Sequence, residues 1–372
     1  SPLAEALHDA GLDIRGSDMA ESSNTLTLRE HGIPIHIGHS ADNVTDDISF
    51  VIRTAAVHDD NPEVHEAHRR GIPVFERTQA WGALMRGYQN ALCISGTHGK
   101  TTTTSMCTHI MMAAEKDPTV MIGGTLPLLK ACHRVGKGNT IIMESCEYYN
   151  SFLALNPTIA VVLNIEADHL DFFKDLEDIK HSFRCFAERV PAETGTVIAN
   201  YDDANTMDAL RGIARKVITF GLNAKADVYA QNIVHRGSVS EFDIYHRGNY
   251  FARVTLHVPG IHNVRNALAA TAAAIVLGVS PNAVKYGLAG FEGAGRRFDY
   301  KGKFQGADLY DDYAHHPSEL RALLDAVDTL NYQRTIVVFQ PHTYSRTAKL
   351  FNDFVEQLRR PTIVYLAEIY AA

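Results

Sequence analysis

Apolar residues in this chain gather into short unbroken runs, with helical periodicity between them. Residues 91–95, Ala-Leu-Cys-Ile-Ser, make one such run, and 140–143, 158–163, 196–199 and 217–220 make others. Runs without alternation predict strands of a parallel sheet covered on both faces. The stretches 101–114, 176–189 and 203–213 between them predict helices. Segments 227–231, 241–246 and 251–258 differ: they are β-branched and aromatic, partly alternating, with Arg247-Gly248-Asn249 as a turn between two of them. They predict an antiparallel annex to the parallel sheet. An Ala-rich helix is expected over 263–277.

The chain before residue 89 is also α/β in pattern. Helices are expected over 2–10, stopped by Gly11, over 62–70, with Pro62 in its first turn and Gly71 after it, and over 78–88. Strands are expected over 47–53 and 73–75. This part opens on a helix, whereas a doubly wound unit opens on a strand, so a leading strand and its loop are expected to be missing from it. Gly293-Ala294-Gly295-Arg296-Arg297 predicts a hinge into a third unit. Strands over 307–311, 335–339 and 362–366 follow, with helices over 317–330 and 344–358, an incomplete α/β set. The expected division is 1–88, 89–295 and 296–372.

Composition bounds the function. The chain has 372 residues, 45% of them hydrophobic and 21% charged, with a formal net charge of −8. These are globular values, and the negative balance argues against a nucleic-acid partner. No stretch is long enough to span a bilayer. The five cysteines, an odd count without CxxC spacing, fit reduced thiols and a cytoplasmic setting.

The chemistry starts at Gly96-Thr97-His98-Gly99-Lys100-Thr101-Thr102-Thr103-Thr104, between a predicted strand and a predicted helix. Strand, glycine loop, lysine, hydroxyl and helix form the layout of a phosphate cradle. Backbone N–H groups close on phosphate oxygens, Lys100 reaches the β- and γ-phosphates, and Thr101 offers its hydroxyl to Mg²⁺. The loop is shorter than the usual one, with two residues between Gly96 and Gly99.

Four further clusters sit at predicted strand ends or helix starts. Glu144-Ser145-Cys146-Glu147 follows the 140–143 strand, where a carboxylate facing the loop is a natural Mg²⁺ ligand or else a plain surface acid. Glu166, Asp168, His169 and Asp171 follow the 158–163 strand and suit a second metal site or a helix cap. Asn263 and Asn266 share a helix face, and their amides suit an adenine edge, with N-capping by Asn263 as the alternative. Arg296-Arg297, Asp311-Asp312-Tyr313-Ala314-His315-His316-Pro317 and the stretch His342 to Arg346 form the last group, either an interdomain phosphate clamp or a solvated charge patch.

Taken together, and in this order along nearly the whole chain, these clusters resemble the Mur ligase family, the ATP-dependent amino-acid ligases of peptidoglycan synthesis. The resemblance implies three domains: a Rossmann-like parallel-sheet domain lacking its first strand, a central P-loop ATPase-like α/β domain with the antiparallel annex, and an incomplete Rossmann-like C-terminal domain that closes over both. It implies that ATP phosphorylates the lactyl carboxylate of UDP-N-acetylmuramate and that the amine of L-alanine attacks the acyl phosphate. Gly96, Thr97, His98, Gly99, Lys100, Thr101 and Thr102 would then hold the phosphates. Asn263 and Asn266 would hold adenine, and Arg297 and Asp312 would complete the ATP site on closure. Thr101, Glu144 and His169 would hold two Mg²⁺ ions, with Mn²⁺ as a substitute. His315, His342 and Arg346 would lie by the alanine and the carboxylate, with His315 or His316 as the base. Ser17, Asp18, His39, Thr54 and Ala55 fall in the region resembling the uridine-nucleotide cleft.

The implied partners are these small molecules, with no nucleic acid and no membrane, in a monomer or dimer. The family's glycine-rich first loop and the end of its C-terminal domain are expected to lie outside this sequence. The rival readings are a sister ligase that attaches a ready-made peptide to the same sugar nucleotide, a P-loop kinase or switch, and a non-catalytic ATP-binding remnant. The Asn-Lys-x-Asp signature of guanine recognition does not occur.

Overall fold

The computed structural model describes residues 2–54 and 56–370. Its centre is a ten-stranded sheet. From one edge the strands run Asn249–Leu256, Val239–His246, Val228–Arg236, Lys216–Gly221, Thr196–Asn200, Ile159–Val162, Asn90–Ser95, Thr140–Glu144, Thr119–Leu126 and Ala131–Arg134. The middle strands pair in parallel. The register of Asn90–Ser95 explains its unbroken apolar run. Leu92 and Ile94 enter the core beneath helices Lys100–Ala113, Ile261–Val276 and Pro281–Ala289. Ala91 and Cys93 enter the opposite core, shared with Leu176–Glu188, Arg77–Met85 and Pro2–Asp9. Each face is dry, so neither set of positions is polar. Burying each such Ile or Leu contributes about 1.5–3 kcal/mol.

The expected antiparallel annex is the continuation of this sheet. Val228–Arg236 pairs in parallel with Lys216–Gly221 and antiparallel with Val239–His246. The turn at Arg247 (φ 51°) and Gly248 (φ 81°) has both central residues left-handed, as a tight hairpin requires. The strand Thr119–Leu126 went unforeseen because Gly123-Gly124 resembles a loop. The expected helix 203–213 is shorter, Ala204–Ala209.

Ahead of the sheet, two small parallel pairs form, Gly16–Asp18 with Ile35–Ile37 and Val51–Arg53 with Val74–Glu76. Helix Pro62–Arg70 has Asn61 as N-cap and stops at Gly71 in the left-handed region, φ 71°. After residue 295 come the hairpin Asp299–Phe304/Ala307–Asp311, the parallel pair Ile336–Phe339/Ile363–Leu366, and helix Pro317–Asp328. The expected helix 344–358 is broken at Leu350 into Tyr344–Lys349 and Phe351–Leu358. Leu320, Phe339 and Phe354 are the buried centre of this last unit.

Candidate active site

The glycine loop leaves the carboxyl end of the Asn90–Ser95 strand and turns into helix Lys100–Ala113. Gly96 (φ 142°) and Gly99 (φ 86°) occupy backbone that side chains rarely adopt. Space is closed as well: a Cβ on Gly96 would lie 2.8 Å from Leu163 Cβ, and one on Gly99 would lie 2.7 Å from Asn266 Oδ1. The loop is tied to the neighbouring strand end. Thr97 N–H donates to Asn164 O (3.0 Å), His98 N–H to Asn164 Oδ1 (2.8 Å), and Glu166 N–H to Thr97 Oγ1 (2.9 Å).

Lys100 folds back over this loop. Its Nζ donates to the carbonyls of Gly96 and Thr97 and to Glu147 Oε2, the last at 3.0 Å. Burial opposes its charge, yet Glu147 outweighs this and leaves the pKa raised. Thr101 Oγ1 donates to Glu144 Oε1 at 3.0 Å, and Glu144 Oε2 accepts from Gly123 N–H at 2.6 Å. The loop hydroxyl and the strand-end carboxylate thus meet as the sequence suggests. They form an oxygen donor pair of the kind Mg²⁺ prefers.

His169 sits beside a different acid. Its Nε2 lies 3.9 Å from both Glu147 Oε1 and Asp168 Oδ2, and its ring stacks on Tyr148 at 4.3 Å. Burial lowers its pKa, which favours the neutral ring. Its backbone is left-handed, φ 52°, a strained setting for a histidine.

A cleft of about 450 Å³ opens beside the loop. Its lining includes His98, Gly99, Thr101 and Thr102 on the loop side, Phe220 and Phe291 as apolar walls, and Asn263 and Asn266. Helix Ile261–Val276 starts after Gly260, so Asn263 is not its cap. Asn263 Nδ2 donates to Pro259 O (2.7 Å), and its Oδ1 accepts from Asn266 Nδ2 (3.3 Å). Arg297 and Asp312 complete the lining from the far side. Burial raises the Asp312 pKa, although its carboxylate accepts N–H bonds from Phe298 (2.7 Å) and Ala314 (2.8 Å).

The C-terminal unit is pinned over this cleft by polar contacts. Arg346 Nε and one of its terminal nitrogens donate to Asp168 Oδ1 at 3.0 and 2.9 Å. Burial works to raise the Asp168 pKa, but His169 and Arg346 hold it down at about 2. Arg346 also lies 3.4 Å from His342 Nδ1, and the His342 and His315 rings are 6.0 Å apart. These three residues therefore assemble. His316 does not join them: it is buried, and its Nδ1 accepts from Ser318 N–H.

Glu319 is the residue that sequence reasoning missed here. Its Oε1 lies 3.3 Å from His98 Nδ1 and 3.7 Å from an Arg297 nitrogen, and its Oε2 accepts from His315 N–H at 2.9 Å. Burial would raise its pKa; His98, His315 and Arg297 push it far below the carboxylate range. Its only signal was an acid in the first turn of a helix opened by Pro317. His98 answers in kind. Burial disfavours its charge, but Glu166 and Glu319 lift its pKa to about 9.

In the first unit, Ser17 Oγ donates to Glu63 Oε2 at 2.5 Å and lies 3.3 Å from His39 Nδ1. Glu63 Oε1 accepts from Asn43 Nδ2 at 2.6 Å. Ser17 and His39 thus share a carboxylate that the sequence reading did not single out. Asp18 and Thr54 are exposed, and Ala55 lies outside the described residues. Among the described residues, no helix is long and apolar enough to cross a membrane.

Three family models match the chain: Mur ligase family, catalytic domain, at residues 1–89; Mur ligase middle domain, at 94–274; and Mur ligase, glutamate ligase domain, at 296–369. The UDP-N-acetylmuramate–L-alanine ligase of Agathobacter rectalis is 46% identical over 373 residues, covering 100% of this chain and 81% of that protein. The ligase of the same description from Clostridium novyi is 44% identical over 372 residues, with the same coverage. Among solved structures, UDP-N-acetylmuramate–alanine ligase from Thermotoga maritima superposes with a TM-score of 0.80 at 31% identity, covering 99% of this chain and 82% of that one. A UDP-N-acetylmuramate:L-alanyl-γ-D-glutamyl-meso-diaminopimelate ligase from Neisseria meningitides gives 0.69 at 26%, covering 78% of this chain and 94% of that one.

Proposed function

This chain belongs to the Mur ligase family, and we propose that it uses ATP to join L-alanine to the lactyl carboxylate of UDP-N-acetylmuramate, releasing ADP and phosphate, in peptidoglycan precursor synthesis. The single observation that carries this reading is the cleft itself. The glycine loop lines it with Gly99 and Thr101, whose hydroxyl donates to Glu144, the amide pair Asn263 and Asn266 lies beside that loop, and Arg297 and Asp312 complete the lining. The names of the full-coverage relatives supply the acceptor.

The chemistry follows from charge. A carboxylate attacking an anionic γ-phosphate meets like charge, and cations must offset it. Lys100 is a fixed cation at the loop, held in place by Glu147. Arg297 brings a second one from the C-terminal unit. Thr101 and Glu144 would hold one Mg²⁺ and His169 would take part in holding a second, and Mg²⁺ or Mn²⁺ supplies the charge that lets the two anions approach. Asn263 and Asn266 read the base on this view, with the Asn266 carbonyl oxygen and the second N–H of each amide left over from the bonds to Pro259 and between the two. The acyl phosphate formed by this first step is then open to the amine of alanine, with His342 and Arg346 placed near the alanine and the transferred carboxylate. His315 is the base on this reading. Its Nδ1 is 2.9 Å from Tyr313 O, which leaves Nε2 to accept a proton. Ser17, Asp18, His39 and Thr54 would serve the uridine-nucleotide cleft on this reading, and Glu63 orients Ser17 and His39. The setting proposed is the cytoplasm, in a monomer or dimer.

The deciding experiment measures ATP-dependent phosphate release with UDP-N-acetylmuramate and Mg²⁺, offering L-alanine, glycine, L-serine and the tripeptide in turn. Release strongest with L-alanine supports the reading. Release only with the tripeptide moves the protein to peptide recycling, and no release with any acceptor leaves only a nucleotide-binding fold.

A further inference from the structure

We propose that His98, Glu166 and His316 form a binding site for a zinc-class divalent cation, separate from the oxygen pair Thr101–Glu144, that clasps the C-terminal unit onto the middle one. Each of the three offers a ligand atom, and these atoms lie within 4.8 Å of one another. Nε2 of His98 and Nε2 of His316 are both buried without a hydrogen-bond partner. His316 is only 5% exposed. His316 Nε2 has no partner of any kind and His98 Nε2 has only the Glu166 carboxylate beside it, so this pair needs an explanation, because buried polar atoms are nearly always hydrogen-bonded; a bound ion would take the place of the His98 proton. The rings are 4.9 Å apart and tilted by 43°, so flat stacking does not account for them. Glu166 Oε2 lies 3.4 Å from His98 Nε2, out of line for a hydrogen bond but close enough to share an ion.

The donor set selects the metal. Two imidazoles and one carboxylate suit Zn²⁺ and its neighbours, whereas Mg²⁺ requires oxygen. The surroundings orient two of the three ligands, His98 and Glu166, as metal sites require. His98 turns its other nitrogen, Nδ1, to Glu319 Oε1 at 3.3 Å. Glu166 is held by the Ser318 hydroxyl. His316 Nδ1 accepts a long bond, 3.3 Å, from Ser318 N–H. Binding through Nε2 shifts the ring proton to Nδ1 and gives up that weak cap. His98 and Glu166 line the cleft, which provides the entry path and room for a water as fourth ligand.

The three ligands come from two units: His98 and Glu166 from the middle one, His316 from the C-terminal one. An ion that needs all three binds the closed arrangement only and shifts the population toward it. Where turnover requires reopening to release products, such an ion inhibits.

The test uses the whole protein in saturating Mg²⁺. Co²⁺ is titrated as a spectroscopic substitute, reading the visible absorption of a four-coordinate site, and Zn²⁺ is titrated against ATP hydrolysis or ligation. His316→Asn keeps a good helix-capping side chain and removes the ligand nitrogen. The expected result is a Co²⁺ band in the parent protein, and Co²⁺ affinity and Zn²⁺ sensitivity both weakened at least about tenfold in His316→Asn. Glu166→Gln, read by the Co²⁺ band alone, should weaken it likewise and serves if His316→Asn does not fold. Absence of a Co²⁺ band, or a band equally strong in the parent and in whichever variant folds, overturns the site.

Discussion

Strand Asn90–Ser95 of the middle region leads into the glycine loop and strand Ile336–Phe339 of the C-terminal unit leads toward His342 and Arg346, yet they are packed differently. In the first, Leu92, Cys93 and Ile94 are fully buried between two layers of helices. In the second, Phe339 is buried while Val338 is 77% exposed. The middle region carries the phosphate loop on a dry, two-sided core. The C-terminal unit, with its small buried centre of Leu320, Phe339 and Phe354, is attached to that core largely by charge. Arg346 holds Asp168, Glu319 faces His98, Ser318 holds Glu166, and Lys349 donates to Leu170 O. Apolar packing fixes one half of the site and ion pairs position the other. Such an attachment is made and broken at low cost, which suits a unit that must close over substrates and reopen.

This contrast can be broken from either side. The largest effect is expected from Glu144→Gln, which keeps the shape at the loop and removes the charge. Its kcat should fall by about 10²–10³-fold with little change in Tm, and steady-state kinetics beside a thermal melt would show the two apart. Ile142→Ala, in the dry core, should do the reverse. It should cost about 2–5 kcal/mol of stability, read from denaturant unfolding, while the folded fraction keeps its kcat.

Arg346→Gln tests the ionic half. It leaves the Asp168 carboxylate, nearly buried, without its guanidinium. Ligation efficiency kcat/KM should drop by about 10–100-fold, and amides of 316–366 should exchange with solvent faster while those of Asn90–Ser95 do not. Equal exchange in both segments would erase the contrast. A smaller effect comes from pH. His98 has its folded pKa raised from 6.5 to about 9, so its contribution to closure is full below pH 6.5 and is lost as pH rises through about 9. The thermal midpoint of the parent should therefore fall more between pH 7.5 and 10 than that of His98→Gln. Lys349→Ala removes a half-exposed contact and should change kcat/KM by no more than about threefold.

What the sequence revealed follows the same division. The glycine turn between strand and helix was legible because its requirements are local: two glycines with forced backbone, a lysine and a hydroxyl in one turn. The middle strands were legible because burial on both faces leaves no polar position to confuse the pattern. Thr119–Leu126 was not, since Gly123-Gly124 reads as a break; the glycine there makes room for Glu144, whose Oε1 would lie 2.5 Å from a Cβ at Gly123. The hairpin strand Asp299–Phe304 was missed because Asp-Tyr-Lys-Gly-Lys-Phe shows little alternation and is mostly exposed. Glu319 and Glu63 escaped for a different reason. Each acts through partners far away in sequence, and an acid in a helix's first turn is ordinary until those partners are placed. Among the predicted sites, His169 beside Glu147, rather than in contact with Glu144, is the detail that only coordinates supply.

The contact between Gly99 and Asn266 gives the cleft a built-in ruler. With 2.7 Å between the position of an absent Cβ and the amide oxygen, the turn that cradles phosphate and the amide proposed to read the base are braced against each other. One cannot slide without displacing the other. The spacing of loop and amide is thus set by the bare backbone of one residue, and a methyl group added by Gly99→Ala would have to push the two apart.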